Sequence, residues 1–339
     1  MRFIRSDLSQ INELAELARS TYDKGEIINV KYLNWEYNSN PDGKALVFLA
    51  DEESKIASQY VVVPRKYAIE NEIINASLSL NTITHPAHRG KGYFTKLAEL
   101  TYSECKKLNI DFTIGFPNKN SVSGFINKLK FSGIGELPLM LKVVNPFRAL
   151  YSFLFNSKVR DEYTYEFNID LPKVSLLNLN SDLHKYNFFW SEFKKRNVYT
   201  TDRSAEFMRW RYIDIPIRKY QLFKIEKNGT IETVLILRSK NIFGVNCGII
   251  VDLLTLKGNT EVGQLINQFQ KNKLDLIISS VPLDSPEAQC LKSAGFFKVP
   301  KLFMLKKLNV VLRIHSNNIS SSITDFKKWF LTFGDYDIF

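Results

Sequence analysis

The run Thr82-Ile83-Thr84-His85-Pro86-Ala87-His88-Arg89-Gly90-Lys91-Gly92-Tyr93-Phe94 carries the densest chemical signal in the chain. A strand-like stretch precedes it and a helix-like stretch follows. Glycine reaches positive φ and lets a ligand come close to the main chain. The first turn of the following helix offers N–H groups without intrahelical partners, at the positive end of the helix dipole. Together these make a turn suited to phosphate. Arg89 and Lys91 add side-chain charge. The G-x-G lacks the third glycine of a dinucleotide turn and the G-K-[ST] of a P-loop. His85 closes the strand, where a histidine serves either as a general base or as a cap. His88 lies beside the phosphate position.

The elements that must position this turn come in two copies. Trp35-Glu36-Tyr37 is followed by Pro41, and Trp210-Arg211-Tyr212 by Pro216. Both read W-x-Y-x3-P with an offset of 175, which Leu33 and Met208, and Phe48 and Phe223, also keep. Further on, Pro117 and Phe131 match Pro282 and Phe296 with an offset of 165. Each interval reads as a helix, over 121–130 and 285–294, with serine as N-cap. Helical periodicity is clear at 7–21, 94–108 and 261–272. Strand-like 78–84 corresponds to 249–255, so Asn81 and Asp252 occupy equivalent strands. Either is a candidate to hold an acceptor amine, or a structural polar residue. From Thr84 to Pro117 is 33 residues, but from Thr255 to Pro282 only 27. The second copy is shorter where the first carries its glycine turn, and reads Leu256-Lys257-Gly258-Asn259 there.

R-G-x-G after a strand, with His-Pro upstream, resembles the acyl-CoA pyrophosphate loop of the GCN5-related N-acetyltransferase (GNAT) superfamily. Asn118 or Asn120, then Phe125-Ile126-Asn127-Lys128-Leu129-Lys130-Phe131, is similar to that family's second signature. Ser293-Ala294-Gly295-Phe296 repeats its ending. The resemblance implies an α/β fold of two tandem GNAT-type domains, each a mixed central β-sheet flanked by helices. It implies acyl-CoA in a gap where 78–84 splays from 112–116. The pyrophosphate would rest on Arg89, Gly90, Lys91, Gly92, Tyr93 and Phe94, with Asn118 and Asn120 close by. The pantetheine would run near Ile83, and a main-chain N–H within 81–83 would stabilise the oxyanion. The family's usual tyrosine acid falls at Ile126 and Leu291, neither of which can move a proton. The second copy is expected to bind no CoA. The segmentation reads as 1–145 for the acyl-CoA copy, 146–178 between the copies, 179–315 for the degenerate acceptor-binding copy, and 316–339 as a tail.

At 339 residues, with 45% hydrophobic and 24% charged residues, the chain is globular and fits two domains. The net charge of +11 favours anionic ligands. Cys105, Cys247 and Cys290 have neither C-x-x-C nor framework spacing, and His184 and His315 lack ligand spacing, so no metal is expected. No secretory signal or membrane span is read, and the expected location is cytoplasmic. Segment 146–155 reads as a helix between the copies or on a membrane surface. Lys327-Lys328-Trp329-Phe330-Leu331 reads as a docking helix or partner contact. Trp35, Tyr37, Arg211 and Tyr212 line an acceptor site, or the aromatics are a packing device shared by both copies; Trp210 belongs to the same set. Glu136 and Glu166 read as surface or strand-edge carboxylates. Tandem GNAT-like proteins of this size resemble bacterial nucleotide-sugar N-acyltransferases of surface-polysaccharide (O-antigen, lipopolysaccharide) pathways. That implies transfer of acetyl, or a short hydroxyacyl such as 3-hydroxybutyryl, to a dTDP- or UDP-linked amino-deoxy sugar such as a 3-amino-3,6-dideoxyhexose. An aminoacyl-tRNA-dependent peptidoglycan-bridge transferase and a non-catalytic acyl-CoA-binding protein are the alternatives. No nucleic-acid partner is expected. The oligomeric state is open.

Overall fold

A computed structural model describes residues 1–53, 55–155, 167, 169–242, 244–258, 260–270, 274–304 and 306–336. In chain order come β1 (Arg2–Arg5), α1 (Ile11–Arg19), α2 (Val30–Asn38), β2 (Leu46–Glu52), β3 (Lys55–Ile69), β4 (Glu72–Thr84), α3 (Tyr93–Lys107), β5 (Phe112–Gly115), β6 (Ser132–Glu136), β7 (Met140–Val143) and α4 (Pro146–Phe155). There follow β8 (Val174–Leu176), α5 (Leu183–Arg196), β9 (Tyr199–Thr201), α6 (Ala205–Tyr212), β10 (Gln221–Lys227), β11 (Thr230–Ile242), β12 (Val245–Thr255) and α7 (Glu261–Phe269). The chain closes with β13 (Leu276–Ser279), α8 (Pro286–Ser293), β14 (Phe297–Lys298), β15 (Asn309–Ile314) and β16 (Trp329–Phe330). Asn259 and Glu166 lie outside the described residues.

Two compact units result, and neither is continuous in sequence. Unit 1 is 1–136, 201–218 and 308–328; unit 2 is 137–200, 219–307 and 329–339. The sheet of unit 1 runs β1-β2-β3-β4-β5-β15-β6, and that of unit 2 runs β14-β7-β13-β12-β11-β10-β8. Thus β7, from the end of the first copy, pairs inside the second sheet, and β15, from the second copy, pairs inside the first. The compact units therefore divide the chain differently from a linear reading at 145, 178 and 315. Both sheets are mixed. β4–β5 and β12–β13 are parallel and the ladders around them antiparallel.

Local chemistry explains the hairpins. β10 and β11 are joined by Asn228-Gly229, both at positive φ, as a two-residue turn of that handedness requires. β3 and β4 meet at Glu70-Asn71 in the same conformation. In unit 1 the core under α3 is Leu97, Ala98 and Tyr102 against Phe48, Tyr60 and Val62. In unit 2, Val262, Leu265, Ile266 and Phe269 of α7 close over Leu235, Leu237 and Ile250. The helix read over 121–130 is present over 122–128, and its stretch Gly124–Lys128 is π-helical, with Leu129 N–H donating to Gly124 O at 3.2 Å. Glycine at the start of this turn is a weak helix former. The tail also departs from a docking helix: Trp329, Phe330 and Leu331 are buried. β16 pairs with β9 through Trp329↔Tyr199 and Phe330↔Thr200, because these rings pack on Tyr199 and Phe193.

The repeated W-x-Y motifs meet inside unit 1. Trp35 and Trp210 stack at 4.5 Å and 14°, each indole N–H donating to the other's carbonyl, at 2.9 and 3.3 Å. A buried indole needs such a partner for its polar edge. Trp35→Ala and Trp210→Ala should each cost about 3–5 kcal/mol. The double variant should show a coupling of about 0.5–1.5 kcal/mol in urea unfolding. Strictly additive losses would mean the two indoles stabilise the unit independently.

Candidate functional site

β4 and β5 are paired only at Ser77↔Thr113, Leu78↔Ile114 and Ser79↔Gly115. β5 then ends, while β4 continues to Thr84. On its other edge β4 pairs with β3 at Leu80↔Val61 and next at Ile83↔Gln59. Asn81 and Thr82 therefore oppose the single residue Tyr60, and lack a register partner on both edges. A bulge of this kind leaves main-chain groups out of the ladder.

The bulge is held from three sides. Asn81 sits at φ +50°, a region asparagine tolerates better than most residues. Its amide donates to Glu36 Oε2 at 2.8 Å and to the Tyr37 hydroxyl at 3.1 Å. Its carbonyl accepts from Gln59 Nε2 at 2.7 Å. Glu36 is buried and also accepts from the Tyr32 hydroxyl at 3.2 Å. Gln59 Oε1 and Thr82 Oγ1 are buried beside the bulge with no hydrogen-bond partner among the described residues. Such atoms are costly unless something fills the role of partner. Sequence reasoning missed Glu36 and Gln59. The available signal was the charge inside W-x-Y, glutamate in one copy and arginine in the other.

Past the bulge the strand is secured by the Ser58 hydroxyl, which donates to Ile83 O at 2.9 Å and meets Thr84 Oγ1 at 2.8 Å. Ile83 is buried with Leu17 and Ala18. His85 acts as a cap: its Nδ1 accepts from Ala87 N–H at 3.2 Å. That lone pair is committed to the turn, which argues against His85 as the base. Gly90 and Gly92 both have positive φ, +81° and +79°. Gly92 caps the 15-residue α3 without any side-chain acceptor, so the first-turn N–H groups point out of the helix start. Arg89 is exposed beside them. Tyr93 is buried, and Phe94 packs between Tyr60 and Phe125. Asn118 ties the turn after β5, its Oδ1 accepting from Asn120 N at 2.9 Å and Ser121 N at 3.1 Å. Both asparagines are exposed.

Glu52 gathers the polar side chains of the turn. Lys91 Nζ lies 3.0 Å from its carboxylate, His88 Nδ1 2.7 Å, and the Tyr93 hydroxyl donates to it at 3.1 Å. The Lys91 hydrogen bond holds the Glu52 carboxyl below its usual range, against partial desolvation. The same bond raises Lys91. Tyr93 is raised first by desolvation and then by Glu52. Among the proposed phosphate contacts, Lys91 thus has its charge balanced within the protein.

Several expected site residues are placed elsewhere. Trp35, Tyr37, Trp210 and Tyr212 are buried, so they offer no free ring face to an acceptor. Arg211 is buried as well, 5.3 Å over the Tyr212 ring. Asp252 is fully buried in unit 2 and accepts from the Thr332 hydroxyl, so it cannot reach an acceptor amine. Ile126 is exposed on the π-helical turn. Tyr60, opposite the bulge, bonds Tyr102 and Ser79, and burial pushes its phenol up to about 12.

The second copy reproduces the splay but not the turn. β12 pairs with β13 only as far as Ile250↔Ser279 and runs on to Thr255. There Thr255 N–H donates to Glu287 Oε1 at 3.0 Å, and Arg196 meets the same carboxylate at 2.6 Å. A fully buried carboxylate stands at the strand end where the first copy has glycines. Among the described residues no group of three or more His, Cys, Asp or Glu could hold a metal ion.

Residues 5–126, which lie in unit 1, match the family described as acetyltransferase (GNAT) domain. No curated protein matches the sequence. Among solved structures, the chain is similar to a GCN5-related N-acetyltransferase from Anabaena variabilis ATCC 29413. The TM-score is 0.65 and the identity 12%, over 93% of this chain and 73% of that one. A conserved protein of unknown function from Enterococcus faecalis V583, a probable N-acyltransferase, matches with TM-score 0.63 and 10% identity, over 92% and 72%. N-myristoyltransferase of Saccharomyces cerevisiae with bound myristoyl-CoA matches with TM-score 0.63 and 13% identity, over 93% and 82%. At these identities the likeness is one of fold. The domain match supports an acyl-CoA-dependent N-acyltransferase.

A carboxylate with a depressed folded-state pKa supports the fold above its unfolded value and loses that support as pH falls through the folded value. The Glu52–Lys91 pair should therefore raise the melting temperature of the wild type over Lys91→Met near neutral pH. The gap should close in acid, below the carboxylate range. A gap that persists there would assign the effect of Lys91 to something other than Glu52.

Proposed function

We propose that the chain transfers an acyl group from acyl-CoA to the amine of a nucleotide-linked amino-deoxy sugar. The carrying observation is the stretch Asn81–Thr82, which has no register partner on either edge of β4 and is followed by the N-terminus of α3, capped by no side chain. In this reading the CoA diphosphate rests on the first-turn N–H groups of α3, with Arg89 supplying charge. The pantetheine follows the open edge of β4 near Ile83. The thioester carbonyl faces the bulge, where a main-chain N–H meets the developing oxyanion. The myristoyl-CoA bound in the yeast neighbour supports an acyl-CoA in a fold of this kind.

The neutral amine attacks the thioester carbon, the ammonium so formed gives its extra proton to water, and the tetrahedral centre collapses with cleavage of the C–S bond, so that CoA leaves as thiolate. Ile126 replaces the usual tyrosine acid, so the thiolate leaves without that proton donor; a thiolate is a tolerable leaving group near neutral pH. His85 is committed as a cap, and an amino-sugar amine is partly neutral in mild base, so the attack needs no dedicated histidine. Holding the two reactants together carries much of the rate. The net charge of +11 supports two anionic substrates. Acetyl or a short hydroxyacyl such as 3-hydroxybutyryl is the group transferred, and a dTDP- or UDP-linked 3-amino-3,6-dideoxyhexose is the acceptor class, in surface-polysaccharide assembly. The second copy binds no CoA, in keeping with the buried Glu287 at its strand end.

Release of free CoA thiol in the presence of dTDP- and UDP-linked amino sugars tests the reading. Arg89→Glu with Gly92→Asp should abolish acetyl-CoA binding and leave the fold intact. Asn81→Val disfavours positive φ and cannot donate to Glu36, so kcat should fall about 10²-fold with the CoA ester still bound. Turnover with unchanged kcat in Asn81→Val would remove the bulge from the mechanism.

A further inference from the structure

Three hydroxyls form a line on the α3 side of the opening between β4 and β5. Ser79 is the last residue of β4 that β5 pairs, opposite Gly115. Its Oγ meets the Tyr60 hydroxyl at 3.2 Å, and the Tyr60 hydroxyl meets that of Tyr102. None of the three hydroxyls has a further hydrogen-bond partner among the described residues. Burial pushes the Tyr60 phenol up to about 12 and that of Tyr102 well above its ordinary value, so both keep their protons.

Proton counting gives the line a direction. Two hydrogen bonds use two of the three O–H protons, and the third is left over at one end. At one end Tyr102 is enclosed in the core with Leu97, Cys105 and Phe131. A donor left unpaired there is costly. At the other end Ser79 borders the opening. Tyr102 therefore donates to Tyr60 and Tyr60 to Ser79, and the Ser79 O–H is left for whatever enters. Space for an occupant lies beside it. The place that a Cβ on Gly115 would take is bounded by Val311 at 3.4 Å, Phe125 at 3.5 Å and Ser79 Cβ at 3.8 Å. Phe94 closes the same side, its ring 5.8 Å from Tyr60 and 6.1 Å from Phe125. The closed end of the opening is thus narrow and apolar, with one hydroxyl donor.

A plain hydrocarbon chain pushed into that end would cover the donor and leave it unpaired. A chain bearing an oxygen would satisfy it. Ser79 and Asn81 are two residues apart on the strand, about 7 Å. A hydrogen bond of about 2.8 Å and the few bonds from a thioester carbonyl to an oxygen on the third carbon span that distance together. We propose that Ser79 selects the acyl group: its hydroxyl donates to an oxygen borne by a short acyl chain, so that hydroxyacyl- and oxoacyl-CoA are taken ahead of a hydrocarbon ester of equal length. This rests on the placement of acyl-CoA in the opening proposed above.

The test is calorimetric titration of the full chain with butyryl-CoA, 3-hydroxybutyryl-CoA and acetoacetyl-CoA, whose acyl chains are equally long. Both oxygenated esters should bind about tenfold more tightly than butyryl-CoA. Ser79→Ala should bring the three affinities together. The wild-type comparison decides by itself where the variant does not fold. Equal affinities in the wild type would overturn the proposal and leave the acyl-CoA site standing. Preference for 3-hydroxybutyryl-CoA alone would overturn it too, because a keto oxygen accepts but cannot donate, and Ser79 would then be the acceptor. So would a preference that survives Ser79→Ala. Binding of none of the three would remove the acyl-CoA site itself, and the proposal with it.

Discussion

A strand inside a sheet can offer its main chain to a ligand only where both neighbours release it, because buried N–H and C=O groups otherwise need partners. β4 meets that condition at Asn81 and Thr82. The parallel neighbour stops at Gly115, and the antiparallel neighbour sets one residue against two. Left to itself such a stretch would slip back into register. Asparagine at position 81 prevents this, because it accepts the positive φ and places an amide between Glu36 and Tyr37. Gln59 replaces the lost ladder bond at the Asn81 carbonyl. The buried Glu36 carboxylate is thereby a positioning group for the backbone, acting from α2 through a side chain.

The two copies differ around the same geometry. Both have a parallel strand pair that parts after a few residues. The first copy leaves the opening bounded by a glycine turn and a bare helix start. In the second, Glu287 and Arg196 close the strand end, and Asp252 is bonded by Thr332 from the buried C-terminal segment. The exchange of β7 and β15 between the two sheets makes neither copy a closed unit of sequence.

The elements that obey local rules were legible in the sequence. Helical periodicity located α1, α3 and α7 to within a few residues, and the paired offsets of Trp35/Trp210 and Pro117/Pro282 exposed the repeat. The glycine turn was legible because its chemistry is local: strand, two glycines, helix. What depended on distant pairing was not. The bulge at Asn81 needs Tyr60 across the ladder and Glu36 from another element, and no spacing rule joins positions 36, 59 and 81. Asp252 looked equivalent to Asn81 by register, but its environment is set by Thr332, 80 residues further on. The aromatic motif read equally well as packing or as acceptor lining until burial placed its rings in the core. The swapped strands were invisible because a short apolar strand carries no mark of which sheet receives it.

The most direct test of the central claim is amide hydrogen exchange with and without acetyl-CoA, resolved by peptide. The account predicts slowed exchange over 80–84 and 89–96, the bulge and the helix start, with 250–258 unchanged. Slowing at 250–258, or none at the first two segments under saturating ligand, would contradict it.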